Sequence, residues 1–298
     1  MFSLVGGLTM RDELAFALEL ADEADAIALR YFSERPETFT KDDGTLVTKA
    51  DREIEATLRE QIRRRYPDHL VLGEESGLGA GPGPGGMGGV GSGGANGAGE
   101  PGGSSGVGGG GSGAGGGFRW VIDPIDGTNN FAWGIPIFAT LIALQLDGAP
   151  DVGVVSAPAL RERYDAARGE GARCNGQPIH VSDVASLAES RYVFATWEEW
   201  IEAGLDQQWG ALLDGGRRSR GFGDFWGHML VARGAAEAMA EPELELWDVA
   251  AVEAVVLEAG GQLTDFAGKP FRGRGSCLTS NGLVHEGVLR ALNAPPTQ

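Results

Sequence analysis

The stretch WVIDPIDGTNNF, residues 120–131, decides how this chain is read. Apolar residues run into two aspartates three positions apart, Asp123 and Asp126, followed by Gly127, Thr128 and two amides. That pattern predicts a buried strand ending in a turn. Neighbouring carboxylates at the end of a buried strand repel each other and resist burial unless a cation sits between them. The turn Gly127-Thr128-Asn129-Asn130 then offers free backbone N–H groups that suit a phosphate at a helix start.

Further carboxylates fall at the ends of neighbouring elements. HLVLGEES (69–76) reads as a short buried strand delivering Glu74 and Glu75 to its end. The helix before it opens near Asp51, repeats Ile54, Leu58, Ile62 and Tyr66 at intervals of four, and stops at Pro67. ELELWDVAAVEAVVLEAGG (243–261) reads as strand then helix, with Asp248 opening the helix and Gly260-Gly261 closing it. Acids gathered at element ends make an oxygen-rich site of the kind magnesium prefers. Each also has a plain structural reading. Asp51 can cap its helix, Asp248 can complement a helix dipole, and Glu75 suits a solvated or supporting role.

The rest of the chain supplies a frame. Leu14, Leu18, Ala21, Ala24, Ala28 and Tyr31 mark a first helix to about Phe32, opened by a capping box at Thr9 and Asp12. FATLIALQL, DVGVVSAPAL and RERYDAARG, separated by Asp147-Gly148 and running to Arg168-Gly169, predict an antiparallel meander. GFGDFWGHMLVARG (221–234) has helical character, and SCLTSN precedes a last helix over about 283–292. The expected fold class is α+β, with one domain over residues 1–298. Residues 77–117 are more than half glycine and read as a disordered insertion. The GxGxxG spacing of Gly83, Gly85 and Gly88 inside them is what glycine saturation produces by chance.

Composition limits the partners. A formal charge of −18 over 298 residues argues against nucleic acid or an anionic membrane. It would also repel a phosphate-bearing substrate unless metal ions reverse the sign locally. Cys174 and Cys277 make no disulfide framework and suggest reduced thiols in a cytoplasm. No apolar run approaches the roughly 20 residues of a membrane span, the start lacks a secretory leader pattern, and Met10 is an alternative start to Met1.

GEES (73–76), DPIDGTNNF (123–131) and WDVAA (247–251), supported by LVTKADREIE (46–55) and RGEGARCNG (168–176), resemble the inositol monophosphatase superfamily. The resemblance covers the chain apart from the glycine tract. It implies a layered αβαβα sandwich, a homodimer, and Mg²⁺-dependent attack by water on a phosphate monoester without a covalent phosphoenzyme. Carried over by position, Glu74, Asp123 and the Ile125 carbonyl would hold a first ion. Asp126, Asp248 and the shared Asp123 would hold a second, with Asp51 near a weaker third. Thr128 with Glu74 would orient and deprotonate the water, and the Gly127 and Thr128 amides would meet the phosphate. A haloacid-dehalogenase-type site is discounted because its two aspartates lie two residues apart, not three.

Gly223-Asp224-Phe225-Trp226 resembles the Gly-Asp-aromatic version found in histidinol-phosphate phosphatases of that superfamily. Asp224 and Glu241 would then meet an ammonium and an imidazole, with aromatics to stack on. As a bland alternative, Asp224 is a helix N-cap and Phe225 and Trp226 are core. His228 is expected to be packed or on the surface, and none of His69, His180, His228 and His285 is given a metal. An inositol-1-phosphate phosphatase is the nearest alternative. Fructose-1,6-bisphosphatase, a nucleotide 3′-phosphatase and a catalytically silent homologue lie further off.

Overall fold

The computed structural model describes residues 10–34, 38–40, 46–79 and 117–295. Helix α1 (Met10–Glu34) is followed by paired strands β1 (Thr38–Thr40) and β2 (Leu46–Thr48), then α2 (Lys49–Arg65). Next come β3 (Leu70–Gly73), β4 (Gly77–Gly79), β5 (Phe118–Asp126) and the short α3 (Thr128–Trp133). The meander is β6 (Ala139–Leu146), β7 (Ala149–Ala157), β8 (Glu162–Ala167), β9 (Ala172–Cys174) and β10 (Gln177–Ile179). Beyond it lie β11 (Arg191–Phe194), α4 (Trp197–Glu202), α5 (Asp206–Gly215), β12 (Arg218–Gly221) and α6 (Asp224–Ala232). The chain closes with β13 (Ala238–Leu244), α7 (Leu246–Glu258), β14 (Gln262–Thr264), β15 (Gly275–Ser280) and α8 (His285–Leu292).

Alternation along the strands builds five layers. Trp120, Ile122, Ile142 and Leu144 face α1 and α2, where Leu20, Ile54, Leu58 and Ile62 are fully buried. Their neighbours Val121, Leu141 and Ala143 face the other way, onto Phe225 and Met229 of α6 and Val252 and Val255 of α7. In the second sheet Val193 and Met239 turn toward Val231 of α6, while Tyr192, Ala238 and Leu278 turn toward α4, α5 and α8. The order is helices, eight-stranded sheet, helices, five-stranded sheet, helices: the expected αβαβα sandwich.

The eight-stranded sheet runs β10-β9-β8-β7-β6-β5-β3-β4 and is antiparallel except for β3 beside β5. The five-stranded sheet runs β12-β11-β13-β15-β14, with β11 parallel to both β12 and β13. The expected meander is there, as are the helices read from spacing. The glycine tract gives its first three residues to β4, paired with β3, because a strand edge needs backbone rather than side chains. Residues 80–116 and Thr9, and so the rest of the expected loop and of the first capping box, lie outside the described residues.

Helix α7 sits so close to the first sheet that Gly153 on β7 has no room for a methyl. A Cβ there would lie 2.6 Å from the Ala251 carbonyl oxygen and 2.7 Å from Ala254 Cβ. Gly153→Ala therefore pushes α7 outward. We expect a loss of about 1–3 kcal/mol in urea unfolding, although relieving glycine freedom alone would stabilise by about 0.4–1 kcal/mol. Unchanged or improved stability would contradict this packing.

Candidate active site

The opening aspartates owe their pairing to a β-bulge. Asp123 lies opposite Leu141 and Asp126 opposite Ala139, so three steps on β5 match two on β6. In a regular strand residues three apart point to opposite faces, and the extra residue brings both carboxylates onto one face. Pro124, with no N–H to contribute, lies within the bulge, and the Thr140 hydroxyl donates to its carbonyl at 2.8 Å. Asp123 and Asp126 thus project on the side where α7 presents Asp248.

Two acid groups result. Oxygens of Asp123, Asp126 and Asp248 lie within 4.8 Å of one another, as do those of Asp51, Glu74 and Glu75. Asp51 and Asp248 each stand third in their helix and use one oxygen as a cap. Asp51 Oδ2 accepts from the Thr48 backbone N–H at 2.8 Å and from its hydroxyl at 2.6 Å. Asp248 Oδ2 accepts from the Glu245 N–H at 2.7 Å. The plain structural readings of both residues therefore hold, and they leave the second oxygen for other work. Asp51 Oδ1 and Asp123 Oδ1 are buried without a hydrogen-bond partner. Orphaned buried carboxylate oxygens, gathered with other acids, fit a cation.

Electrostatics agrees. Burial, then the charge of Glu74 and the neighbouring aspartates, holds Asp123 well above the ordinary carboxylate range. Burial with Asp224 and Asp248 does the same to Asp126. Burial pushes Asp248 to about 8 and Asp51 to about 7, against their hydrogen bonds.

The loop carrying Glu74 and Glu75 is held from beneath by Glu55, which the sequence reading passed over. Its carboxylate accepts from the backbone N–H of Glu75 at 2.7 Å and of Ser76 at 3.0 Å. Arg59, one helical turn on, pairs with it at 2.8 Å and also reaches the carbonyls of Val71 and Gly77. The i,i+4 spacing was visible in sequence, but its burial was not.

A cavity of about 400 Å³ opens beside these groups, lined by Glu74, Gly127, Thr128, Asn129, Asn130 and Trp133 on one side. Ala195, Thr196, Glu199, Gly221, Phe222, Gly223 and Asp224 line the other. It lies at the carboxyl ends of two parallel strand pairs, β3 with β5 and β11 with β12, the usual place for a ligand in parallel sheet. Gly127 has φ +79°, and a Cβ on it would meet Asp224 Oδ2 and the Ile137 carbonyl at 2.9 Å. The Thr128 hydroxyl donates to the Ile125 carbonyl at 2.9 Å, leaving that oxygen a second lone pair.

Asp224 does not cap α6: Gly223 holds that position and no side chain caps it. Instead Asp224, at φ +44°, accepts from Asn130 Nδ2 at 3.2 Å, and the Phe225 N–H donates to Asp126 Oδ2 at 2.7 Å. Phe225 is core, while Trp226 packs on Phe222. Glu241 does not line the cavity. It is buried, with Oε2 2.8 Å from His228 Nε2, and His228 Nδ1 lies 2.8 Å from the Thr279 hydroxyl. His228 is thus packed, and burial lowers its pKa to about 4. His69 and His285 also serve packing, through Trp120 and through Thr264 and Ser280.

Residues 10–295 match the model of the Inositol monophosphatase family. The chain belongs to that family. It is 40% identical to a histidinol-phosphatase of Mycobacterium tuberculosis over 289 residues, 95% of this chain and 98% of that protein. It is 37% identical to a histidinol-phosphatase of Chlorobaculum parvum, covering 92% of each. Among solved structures, Thermotoga maritima IMPase superposes with a TM-score of 0.75 at 28% identity, over 95% of this chain and 97% of that one. This inositol monophosphatase family member is a phosphatase, a hydrolase of phosphoric monoesters, and it carries two acid groups suited to metal ions.

The raised carboxylates set a pH dependence for the metal-free phosphatase. The folded chain keeps protons on Asp51 and Asp248 that the unfolded chain releases near pH 3.8. Their contribution to stability is complete below that pH and is lost as pH climbs through about 7 to 8. In EDTA, the melting temperature should fall by at least ~3 °C between about pH 5 and pH 8, roughly what 1 kcal/mol is worth at this length. A divalent ion should recover more at the higher pH, where it no longer displaces protons. A metal effect equal at both pH values would show that these acids are not the ligands.

Proposed function

We propose that this phosphatase hydrolyses L-histidinol phosphate to L-histidinol and phosphate, in histidine biosynthesis, with Mg²⁺ as its metal. The observation that carries this reading is the sign of the cavity wall. Among the described residues, its charged lining side chains, Glu74, Glu199 and Asp224, are all carboxylates. An ester with an ammonium and an imidazole meets that wall with opposite charge, and Phe222 and Trp133 offer aromatic faces. Inositol hydroxyls would leave the distal acids uncompensated. The histidinol-phosphatase relatives support the same substrate.

In this reading Glu74, Asp123 and the Ile125 carbonyl hold one ion, and Asp123, Asp126 and Asp248 a second. Asp51, beside Glu74 and Glu75, serves a weaker third. When bound, the ions supply the positive charge that admits a phosphate among acids and the Lewis acidity for its hydrolysis. The chain does the rest. The Thr128 hydroxyl and Glu74 orient the attacking water, and Glu74 takes its proton. The Gly127 and Thr128 amides hold phosphate oxygens at a position where no side chain fits. Asp224 meets the cationic end of the ester. Glu241 stands behind it as a second acid, its Oε2 engaged with His228. A homodimer in a cytoplasm completes the proposal, and the free thiols of Cys174 and Cys277 are compatible with a reducing compartment.

Phosphate release from L-histidinol phosphate and from myo-inositol 1-phosphate, with Mg²⁺ and with EDTA, tests the assignment. The histidinol ester should be preferred by more than about tenfold in kcat/KM, each tenfold being about 1.4 kcal/mol, and EDTA should abolish turnover. Preference for the inositol ester would overturn the substrate and leave the phosphatase standing. Asp126→Asn should cut kcat by more than the roughly 10–100-fold that loss of an outer-shell partner costs a metal enzyme. Near-normal turnover would remove Asp126 from the metal site.

A further inference from the structure

We propose that Glu199 on α4 is a specificity-determining carboxylate which, with Asp224 on the same wall of the cavity, grips the cationic group of the ester. This rests on the reading that the alcohol part of the substrate is cationic. Glu199 lines the cavity opposite Thr128 and is half-buried, whereas its neighbours Glu198 and Glu202 are exposed and do not line it. Among the described residues Glu199 forms no ion pair with a lysine, arginine or histidine, and the side chain engaging it is Thr196. A carboxylate drawn into a cavity without a counter-ion costs stability unless a ligand brings one. Its charge is felt at Asp224 and at the buried Glu241, so the three acids lie in one electrostatic neighbourhood.

Helix α4 is too short to be stable alone, yet Glu199 is held in place. The adjacent Trp200 is fully buried, stacked on Trp209 at 4.6 Å and on Phe266 at 5.8 Å. Trp197 packs edge-on against Phe194 at the end of β11. The acid is thus presented from a fixed element. Fixing it before the substrate arrives lowers the ordering cost of binding.

The test compares the wild type with Glu199→Gln and Glu198→Gln, each measured in Mg²⁺ with L-histidinol phosphate and with glycerol phosphate, a smaller ester without a cation. Glu199→Gln should raise KM for the histidinol ester by about tenfold, the worth of one well-placed charged hydrogen bond, with kcat nearly unchanged. Its KM for glycerol phosphate should stay put or fall. Glu198→Gln makes the same charge change in the same helical turn, and it should move neither ester. The KM gap should shrink as ionic strength rises. If Glu199→Gln preserves the wild-type preference between the esters, or Glu198→Gln shifts it equally, Glu199 is not the determinant and the proposed substrate stands. If the wild type shows no preference for the cationic ester, this inference and the proposed substrate both fall.

Discussion

Asp123, Asp126 and Asp248 hold oxygens within 4.8 Å of one another, and Asp51, Glu74 and Glu75 repeat the arrangement. Two unit charges at that separation repel by roughly 3.5 kcal/mol at an effective dielectric constant near 20. The three pairs in one group then sum to about 10 kcal/mol, as much as the whole stability of an ordinary domain. A fully ionised cluster would unfold the chain unless something neutralised it. Without metal, burial and repulsion raise the pKa values of Asp51, Asp123, Asp126 and Asp248 together, so these acids keep protons. With metal the same crowding becomes affinity, because each carboxylate that repels its neighbours is drawn to a shared cation. Catalytic competence and metal-free instability are thus two consequences of one geometry.

The fold supports that crowding with backbone rather than with counter-charges. Glu55 accepts the N–H groups of Glu75 and Ser76, the bulge at Pro124 is closed by Thr140, and Asp51 and Asp248 are fastened by the helices they cap. Among the described residues, no lysine or arginine lines the adjacent cavity. A basic side chain there would relieve the repulsion and compete with the metal. Using one carboxylate oxygen for capping and keeping the other for the cluster orients the acid without neutralising it.

Much of this was legible in the chain because it is local. Helical spacing in 51–66, the apolar run into Asp123 and Asp126, and the order of the three acidic motifs all survive folding unchanged. The bulge was less visible. Three-residue spacing raised the question of why both aspartates matter, and the answer lies in the register of β5 against β6, which depends on a second strand. The stretch 177–217 carries little local signal because its strand β11 takes its partners from 218–221 and 238–239, and its helices are short and depend on tertiary packing. Glu199 is not legible for the same reason: two adjacent acids in WEEW carry no periodic or motif signal that singles one out. Glu241 was placed at the substrate from sequence, and the structure puts it one row behind, beside a histidine on the next turn of α6. Alternation along β13 sets its face, but not what covers that face.

The two sheets divide the labour of the cavity. The parallel pair β3 and β5 ends in Glu74 and in Gly127-Thr128, next to the two acid groups. The parallel pair β11 and β12 ends in Ala195-Thr196 and Phe222-Gly223, next to Glu199 and Asp224. In the proposed reading one end is acidic because it holds metal, which would then make it positive. The other end is acidic, and among the described residues no basic side chain lines it. A phosphate ester whose alcohol part is positive matches that alternation along its length, whereas a neutral alcohol would match half of it. Selectivity in this reading is set where the second sheet ends, and chemistry where the first does. Substitutions in the loops after β11 and β12 can then change the ester chosen without disturbing the acids that hydrolyse it.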